Sequence, residues 1–576
     1  MTDRARTVAT LPWWLGGLLG IACVMLGCLL ALRPFRSLGV LVVLLAVGLA
    51  LVGVALLVER SGRGAASNAA GGAAVLAAIA VLAVPGLTIR VLTFVVAGAL
   101  VLIGLVRILT ARRREPGQRL STVLLGSASV LLGVVALAWP DVTVLVIAAV
   151  FGVQLVLFGG GQVAEAWRRR PGAPEPAGRD RGPRRPWRTL GAAAALLAAA
   201  GLLLLSIRLT GHPQPDDFYA APADLGSQPG ELLRAEAFST DVPEGANGWR
   251  ILYTTTLDDD TPAVASALVI APDDGAEHPV VAWAHGTTGQ ATGCAPSLLE
   301  HPFEAGAMPD LPATLTQGWA VVAPDYPGLG TAGSHPYLLG EPTARSVLDA
   351  IRAAQGLEEA GLAGRTVVWG HSQGGHAALW TGGLAAAYAP ELDLLGVVAM
   401  APAANLPRLL EDLTTSPIGP VFGAYVMAAW ADADPSVRLV DYVRPAGRIG
   451  MEEMAGRCLS DPSVIVSVAT AILGRDPVWD GDPARGPVLA LAESNVPTLP
   501  IEAPLLLAQG EADTLVRPDA QRDYVAQRCE AGQELEYRTY PGLDHMGLVS
   551  GDSQLLADLV EWTGARFAGG DWSPTC

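Results

Sequence analysis

The chain has 576 residues, 51% of them hydrophobic, and a positive mean hydropathy. It is too long for one domain and too apolar for an ordinary soluble protein. Its net charge of −17 hides two unlike halves: residues 1–210 hold 21 Arg against 7 acidic residues, residues 211–576 hold 17 Arg against 48, and Lys is absent. So acidic a half repels nucleic acid and anionic polymers, which excludes both as partners.

The basic half reads as membrane. Seven apolar stretches approach or reach the length that crosses a bilayer: Trp13–Leu32, Leu38–Val58, Ala69–Val84, Val91–Leu109, Leu120–Ala138, Val142–Phe158 and Leu190–Leu209. Arg4 and Arg6 precede the first; Arg60 and Arg63 follow the second, Arg112–Arg114 and Arg119 the fourth, and eight Arg between 168 and 188 the sixth. The alternate connections carry only Arg33, Arg36 and Arg90. The positive-inside rule then puts the N-terminus in the cytoplasm and everything after Leu209 outside.

The same half repeats. Pro34, Pro85 and Pro140 lie 51 and 55 residues apart, and Gly48, Gly98 and Gly152 follow them by 12 to 14 residues. Three tandem hairpins make a six-helix bundle over 1–165, with small residues allowing close helix packing. No span carries an acidic or His residue near its centre, so the expectation is an anchor or scaffold rather than a transporter. Residues 166–189 form an Arg/Pro-rich cytoplasmic linker. The seventh span, 190–209, also fits an export signal, with a small-residue cleavage site at Ala221-Pro222-Ala223. Residues 210–248 read as a stalk.

From 249 the pattern changes to alternating strands and helices, the mark of a mostly parallel, doubly wound sheet. Ile251–Leu257 and Ala263–Ala271 form an edge hairpin; Val280–Ala284, Ala320–Ala323, Val367–Trp369, Leu394–Met400, Pro504–Ala508 and Leu535–Tyr540 are core strands. About 100 residues, 402–500, contain no core strand and read as a helical cap, with Leu409–Leu413 and Val421–Trp430 as helices. Such an insertion suggests a shielded apolar substrate. Cys294, Cys458, Cys529 and Cys576 are an even set, which fits an oxidising, extracytoplasmic compartment and allows three pairings.

The chemistry centres on Gly370-His371-Ser372-Gln373-Gly374, a Gly-x-Ser-x-Gly at the end of an apolar run and the start of a helix. That context defines a nucleophile elbow. A serine hydroxyl needs a base, and in this fold the order is Ser, acid, His. Asp513, in the turn Gln509–Val516 after the penultimate strand, is favoured as the acid over Glu511. His545, after the last strand, is the base; its neighbour Asp544 is too close in sequence to orient it. His371 and His376 read as structural, and Asp325 as holding its own turn. The oxyanion needs two donors: the Gln373 N–H, and the Thr287 N–H of the His285–Gly289 loop, with Thr288 the alternative. No cofactor or metal is called for.

Two resemblances follow from these motifs. Residues 10–165, with their Pro-led hairpins, resemble the HdeD-like acid-resistance membrane proteins. Residues 212–576 resemble the secretory lipase family, of the fungal lipase A type, through Trp283–Gly289, Cys294–Ser297, Ala323–Tyr326, the elbow, the Asp513 turn and His545 after Gly-Leu-Asp. That resemblance implies a capped α/β-hydrolase acting on carboxylic esters, with disulfides Cys294–Cys458 and Cys529–Cys576. The expectation is therefore a multi-pass membrane protein with an extracytoplasmic lipase or esterase domain whose partners are the membrane and a lipid or other ester. Peptidase, amidase or acyltransferase chemistry on the same triad remains open, as does a non-catalytic acid-stress protein.

Overall fold

The structure is a computed structural model. It describes residues 13–32, scattered positions from 42 to 50, 65–83, 85–113, 116–168, 185–209 and, apart from 212, 224, 226–227 and 475–477, 211–576. The chain divides into two compact units, one built on Met1–Thr210 with Val443–Gly450 and Ala469–Val478, the other on Gly211–Tyr442, Met451–Val468 and Trp479–Cys576.

In the first unit the described residues form helices α1 (Trp13–Leu32), α2 (Ala65–Ala83), α3 (Pro85–Thr110), α4 (Pro116–Ala138), α5 (Pro140–Arg168) and α6 (Arg185–Leu209). Pro85, Pro116 and Pro140 each open a helix, where the missing N–H costs nothing and the fixed φ is already helical. The segments Ile89–Arg113, which runs three residues past α3, Gln118–Ala138 in α4 and Thr189–Leu209 in α6 are long and apolar enough to cross a membrane. The expected second span, Leu38–Val58, lies largely outside the described residues, and so does most of the linker. Close helix packing comes from glycines other than Gly98 of the repeat. A Cβ on Gly20 of α1 would strike the Gly159 carbonyl of α5, and one on Gly104 of α3 the Gly126 carbonyl of α4, whereas one on Gly98 would meet nothing. Backbones that approach this closely exchange dispersion contacts along their whole crossing, the main source of helix association in lipid.

The second unit is a nine-stranded sheet in the order β1-β2-β3-β5-β4-β6-β7-β8-β9. The strands are β1 (Leu232–Ala237), β2 (Ala246–Thr256), β3 (Pro262–Pro272), β4 (His278–Ala284), β5 (Ala320–Pro324), β6 (Leu362–His371), β7 (Asp393–Met400), β8 (Leu505–Gly510) and β9 (Glu536–Tyr540). β1, β2, β3 and β5 pair antiparallel, and every pair from β5 through β4 to β9 is parallel. The parallel strands are covered on both faces, which is why they read as continuous apolar runs rather than alternating ones. Val281, Trp283, Val367 and Trp369 point into one core with Leu559 and Trp562 of α13 (Gln554–Phe567); Ala282, Ala284 and Val368 point into the other. On that second side lie Val347 and Ile351 of α7 (Gly340–Gln355), Ala377 and Leu379 of α8 (Gln373–Tyr388), and Tyr524 of α12 (Pro518–Glu530).

The segment read as a stalk belongs mostly to the hydrolase unit. Phe218 and Tyr219 are buried against Leu252 and Val264, and Leu232–Ala237 is the edge strand. Its sequence, Leu-Leu-Arg-Ala-Glu-Ala, has helical composition; the open edge of β2 overrides that propensity. Cleavage at Ala221–Ala223 would discard Phe218 and Tyr219, whose hydroxyl bonds Ser297 at 2.8 Å. Among the described residues the insertion between β7 and β8 is mainly helical and includes α9 (Leu406–Leu413), α10 (Gly419–Ala433) and α11 (Val464–Gly474).

Candidate active site

The site is set by topology. Chain order reverses at the sheet's centre: β5 lies on one side of β4 and β6 on the other. The loops leaving β4 and β6 therefore part there and open a crevice at the strands' C-terminal ends. The β4 loop carries His285-Gly286-Thr287, and the β6 turn carries Ser372.

Ser372 occupies φ 59°, ψ −116°, a conformation that costs a non-glycine residue of order 1–3 kcal/mol. The turn holds it there: its N–H donates to Met400 O at 2.9 Å, and its carbonyl accepts from His376 and Ala403 N–H, both at 3.1 Å. Gly370 and Gly374 are obligatory, since a Cβ on the first would overlap the Gly374 carbonyl and one on the second the Ala284 carbonyl. Ser372 sits immediately before α8, so its side chain stands at a helix N-terminus, where developing negative charge is favoured.

Asp513 and His545 meet. His545 Nδ1 and Asp513 Oδ2 are 2.7 Å apart, and the Asp513 side chain is fully buried. The other carboxylate oxygen accepts from Leu515 and Val516 N–H at 2.8 and 2.9 Å, and Gln509 Nε2 donates to Oδ2 at 3.2 Å. Four donors fix the carboxylate and leave His545 Nε2 as its free ring nitrogen. Glu511 instead accepts from Thr539 at the surface, and Asp544 caps its own turn through Gly547 N–H.

Thr287, Ser372 and Gln373 line one pocket, closed from above by Leu409 and Leu413 of α9 and by Phe422 and Val426 of α10. Its free volume is about 20 Å³, room for little more than a water molecule. An ester enters only when the cap helices shift. Thr287 Oγ1 lies 3.0 Å from Tyr337 Oη, so its hydroxyl is already engaged, leaving the backbone N–H as its donor. Thr288 is buried, and its carbonyl accepts from Leu459 N–H in the cap at 2.7 Å. The disulfide Cys294–Cys458 closes the same junction, and Cys529–Cys576 ties α12 to the C-terminus.

Several neighbours make contacts that the sequence reading did not place. His371 packs its ring 4.6 Å from that of His545 and, through Nε2, donates to the His545 carbonyl at 3.0 Å. Burial and the nearby His545 hold His371 neutral, well below the usual imidazole range. The Gln373 side chain donates to His335 Nε2 at 2.9 Å, and burial drives His335 down to about 3. Asp325 does more than hold its own turn: its carboxylate accepts from Ser266 Oγ on β3, and from Ser297 Oγ and N–H beyond the β4 loop. Burial raises it to about 6. Each contact joins segments distant in sequence, so spacing carried no signal of them.

A mixed sheet, an elbow after a central strand, and an Asp–His pair after the last two strands define an α/β-hydrolase. Comparison with known proteins narrows the class. Residues 308–573 match the secretory lipase family model, and residues 18–68, 69–134 and 124–206 each match a short repeat of unknown function, DUF308. Those copies begin 51 and 55 residues apart, the spacing of Pro34, Pro85 and Pro140. Lipase A of Moesziomyces aphidis is 24% identical over 384 residues, 62% of this chain and 81% of that protein. A secreted triacylglycerol lipase of Malassezia globosa is 28% identical, over 61% of this chain and 79% of its own. A protein of Mycobacterium tuberculosis named a probable inactive lipase is 30% identical over 42% of this chain and 57% of its own length. The crystal structure of Candida antarctica lipase A covers 63% of the chain with 87% of its own, at 19% identity and a TM-score of 0.53. The chain is a carboxylic ester hydrolase, lipase-like in its C-terminal domain.

Proposed function

We propose that this chain is a membrane-anchored hydrolase, facing out of the cytoplasm, that cleaves lipid acyl esters through an acyl-enzyme on Ser372. The observation that carries the reading is the 2.7 Å bond between His545 Nδ1 and Asp513, with Ser372 held strained at the elbow next to His371, whose ring packs 4.6 Å from that of His545. With Nδ1 committed to Asp513, His545 Nε2 takes the Ser372 proton as Oγ attacks the ester carbonyl. The Gln373 and Thr287 N–H groups receive the oxyanion. His545 passes the proton to the departing alcohol, then activates the water that releases the acid. The apolar pocket wall of Leu409, Leu413, Phe422 and Val426 suits an acyl chain. The N-terminal bundle, HdeD-like in its repeat, fixes the enzyme in the membrane through six or seven spans.

The test is hydrolysis of p-nitrophenyl esters of increasing chain length by the full-length protein in micelles, beside Ser372→Ala. Turnover that rises toward long chains and falls about 10⁴-fold or more in the variant is expected. A short-chain optimum would make the protein an esterase. The relationship to a probable inactive lipase favours one rival, a domain that binds without turning over. Folded protein with no Ser372-dependent turnover on any ester would establish that rival and sink the proposal.

A further inference from the structure

The pocket over Ser372 continues under the cap. Ala403, Leu409, Leu515 and Val516 wall it on one side, and the same four residues wall a second hollow between α9 and the loop that leads from β8 into α12. The two hollows differ in chemistry. The first is closed by Leu413, Phe422 and Val426, while the second ends on Asp412 of α9 and Gln521 of α12. The second has about 10 Å³ free, the room of one water-sized group. Helix α9 roofs both, with Leu409 and Leu413 over the first and Leu409 and Asp412 over the second. The shift of α9 that admits an ester to Ser372 therefore also joins the two into one slot.

Two polar groups at the end of that slot are left unfinished. Gln521 is 1% exposed, and its Nε2 has no hydrogen-bond partner among the described residues. A buried amide hydrogen without an acceptor bears its full desolvation cost, so in a native fold it calls for a partner. Asp412 is in the converse state. Its side chain is only 15% exposed, yet its carboxylate is held by two long ion pairs, 3.6 Å to Arg517 and 3.9 Å to Arg408, neither of hydrogen-bond length. Asn405 beside them is already committed: its Oδ1 accepts from Arg408 N–H and its Nδ2 donates to the Ala520 carbonyl, both at 3.4 Å. A donor without an acceptor and an acceptor without a donor thus face one small hollow. A hydroxyl answers both, taking a bond from Gln521 Nε2 and giving one to Asp412. A carbonyl has no hydrogen for Asp412, and an ammonium has no lone pair for Gln521.

We propose that this second hollow binds a hydroxyl group carried by the substrate itself, remote from the scissile bond, so that the enzyme selects hydroxylated esters. The hydroxyl sits either on the alcohol arm, as in a partial glyceride, or on the acyl arm, as in a hydroxyacyl ester. Gln521 and Asp412 are then specificity residues, and the proposal rests on the lipid-ester reading above. The test uses the full-length protein in micelles and two matched sets of substrates. Glycerol 1-decanoate against propyl decanoate reads the alcohol arm. A series of p-nitrophenyl hydroxydecanoates, with the hydroxyl placed along the chain, against p-nitrophenyl decanoate reads the acyl arm. In one set kcat/KM is expected to favour the hydroxylated ester by at least about tenfold, and that set names the arm. Gln521→Leu keeps the volume and removes the amide; it should bring the ratio close to one without lowering the urea midpoint. Asp412→Asn, which keeps an acceptor, should retain part of a preference that Asp412→Leu loses. No preference in either set, a preference that survives Gln521→Leu, or an equal loss on hydroxylated and plain esters in that variant would overturn the proposal. Binding to the Ser372→Ala chain, measured by equilibrium dialysis, separates the hollow from catalysis. The hydroxylated ester of one set should bind at least about tenfold tighter than its plain partner, and adding Gln521→Leu should remove the difference; equal affinities in both sets would again overturn it. Absence of turnover on every ester by the parent chain would defeat the catalytic reading instead, while the binding comparison still decides what the hollow holds.

Discussion

Asp513 and Glu511 stand two residues apart on one turn, and only Asp513 reaches His545. Asp513→Asn keeps the shape but lets the amide favour the wrong imidazole tautomer, so kcat should fall by about 10³–10⁴-fold. Glu511→Gln should change kcat by less than about twofold, since its partner is the surface hydroxyl of Thr539. Steady-state kinetics on one soluble ester checks both. The acid was legible in the sequence because its turn follows a recognisable strand. The second contact on the base was not. His371 holds the His545 backbone across 174 residues, through a loop whose path no local spacing reveals. His371→Ala removes a hydrogen bond worth about 1 kcal/mol and a ring contact. It should lower kcat about tenfold with KM nearly unchanged, the mark of a positioning residue; a matching rise in KM would show that it shapes the pocket instead.

Among the elements, legibility followed burial. β4, β7 and β8 are covered on both faces, and their Val, Ala and Leu runs announce them within one or two residues; β6 shows in the sequence only as Val367–Trp369, because its first four residues, Leu362–Arg365, are not buried. β1 is half-exposed, and its composition points to a helix; it is a strand because β2 offers an edge. α11 escaped for the opposite reason. Val-Ile-Val-Ser-Val carries the β-branched side chains of a strand, and no charged residue supplies the amphipathic pattern that identifies a helix. The disulfide Cys294–Cys458 joins two such unlike parts, the legible core and the poorly legible cap. Beside it, the Leu459 N–H donates to the Thr288 carbonyl, so the bond also steadies the loop that offers Thr287. Cys294→Ala/Cys458→Ala should cost roughly 2–4 kcal/mol of stability, read from urea unfolding. It should also lower kcat more than it raises KM, because a loosened oxyanion donor is felt in the transition state. A variant that loses stability with unchanged kcat would confine the disulfide to holding the cap.

Across the hydrolase unit, four buried imidazoles and two buried carboxyls, Asp325 and Asp349, lead the response to acid. His285 and His376 are pushed down to about 4, His335 to about 3, and His371 well below the usual value, each chiefly by burial. In the unfolded chain each titrates near 6.5. Below that pH the unfolded state binds protons that the folded state refuses, so stability falls as pH drops from about 6.5 toward 4. Asp325 runs the other way. Its folded pKa of about 6 lies above the unfolded value, so the folded state binds its proton first and gains stability as pH falls from about 6 to about 3.8. Four imidazoles outweigh the two carboxyls Asp325 and Asp349, which burial raises, and the net effect is acid lability. Tryptophan-fluorescence urea midpoints of the full-length protein should therefore fall steadily between pH 6.5 and 4.5. His335→Gln removes a group that contributes up to about 1.4 kcal/mol per pH unit in that window and should flatten the slope. Folded His335 stays neutral down to about pH 3, so the Gln373 amide keeps its acceptor across this window and the folded enzyme's activity should not fade through that bond while stability falls. A midpoint that holds or rises on acidification would mean that the imidazoles gain water or a carboxylate before they charge.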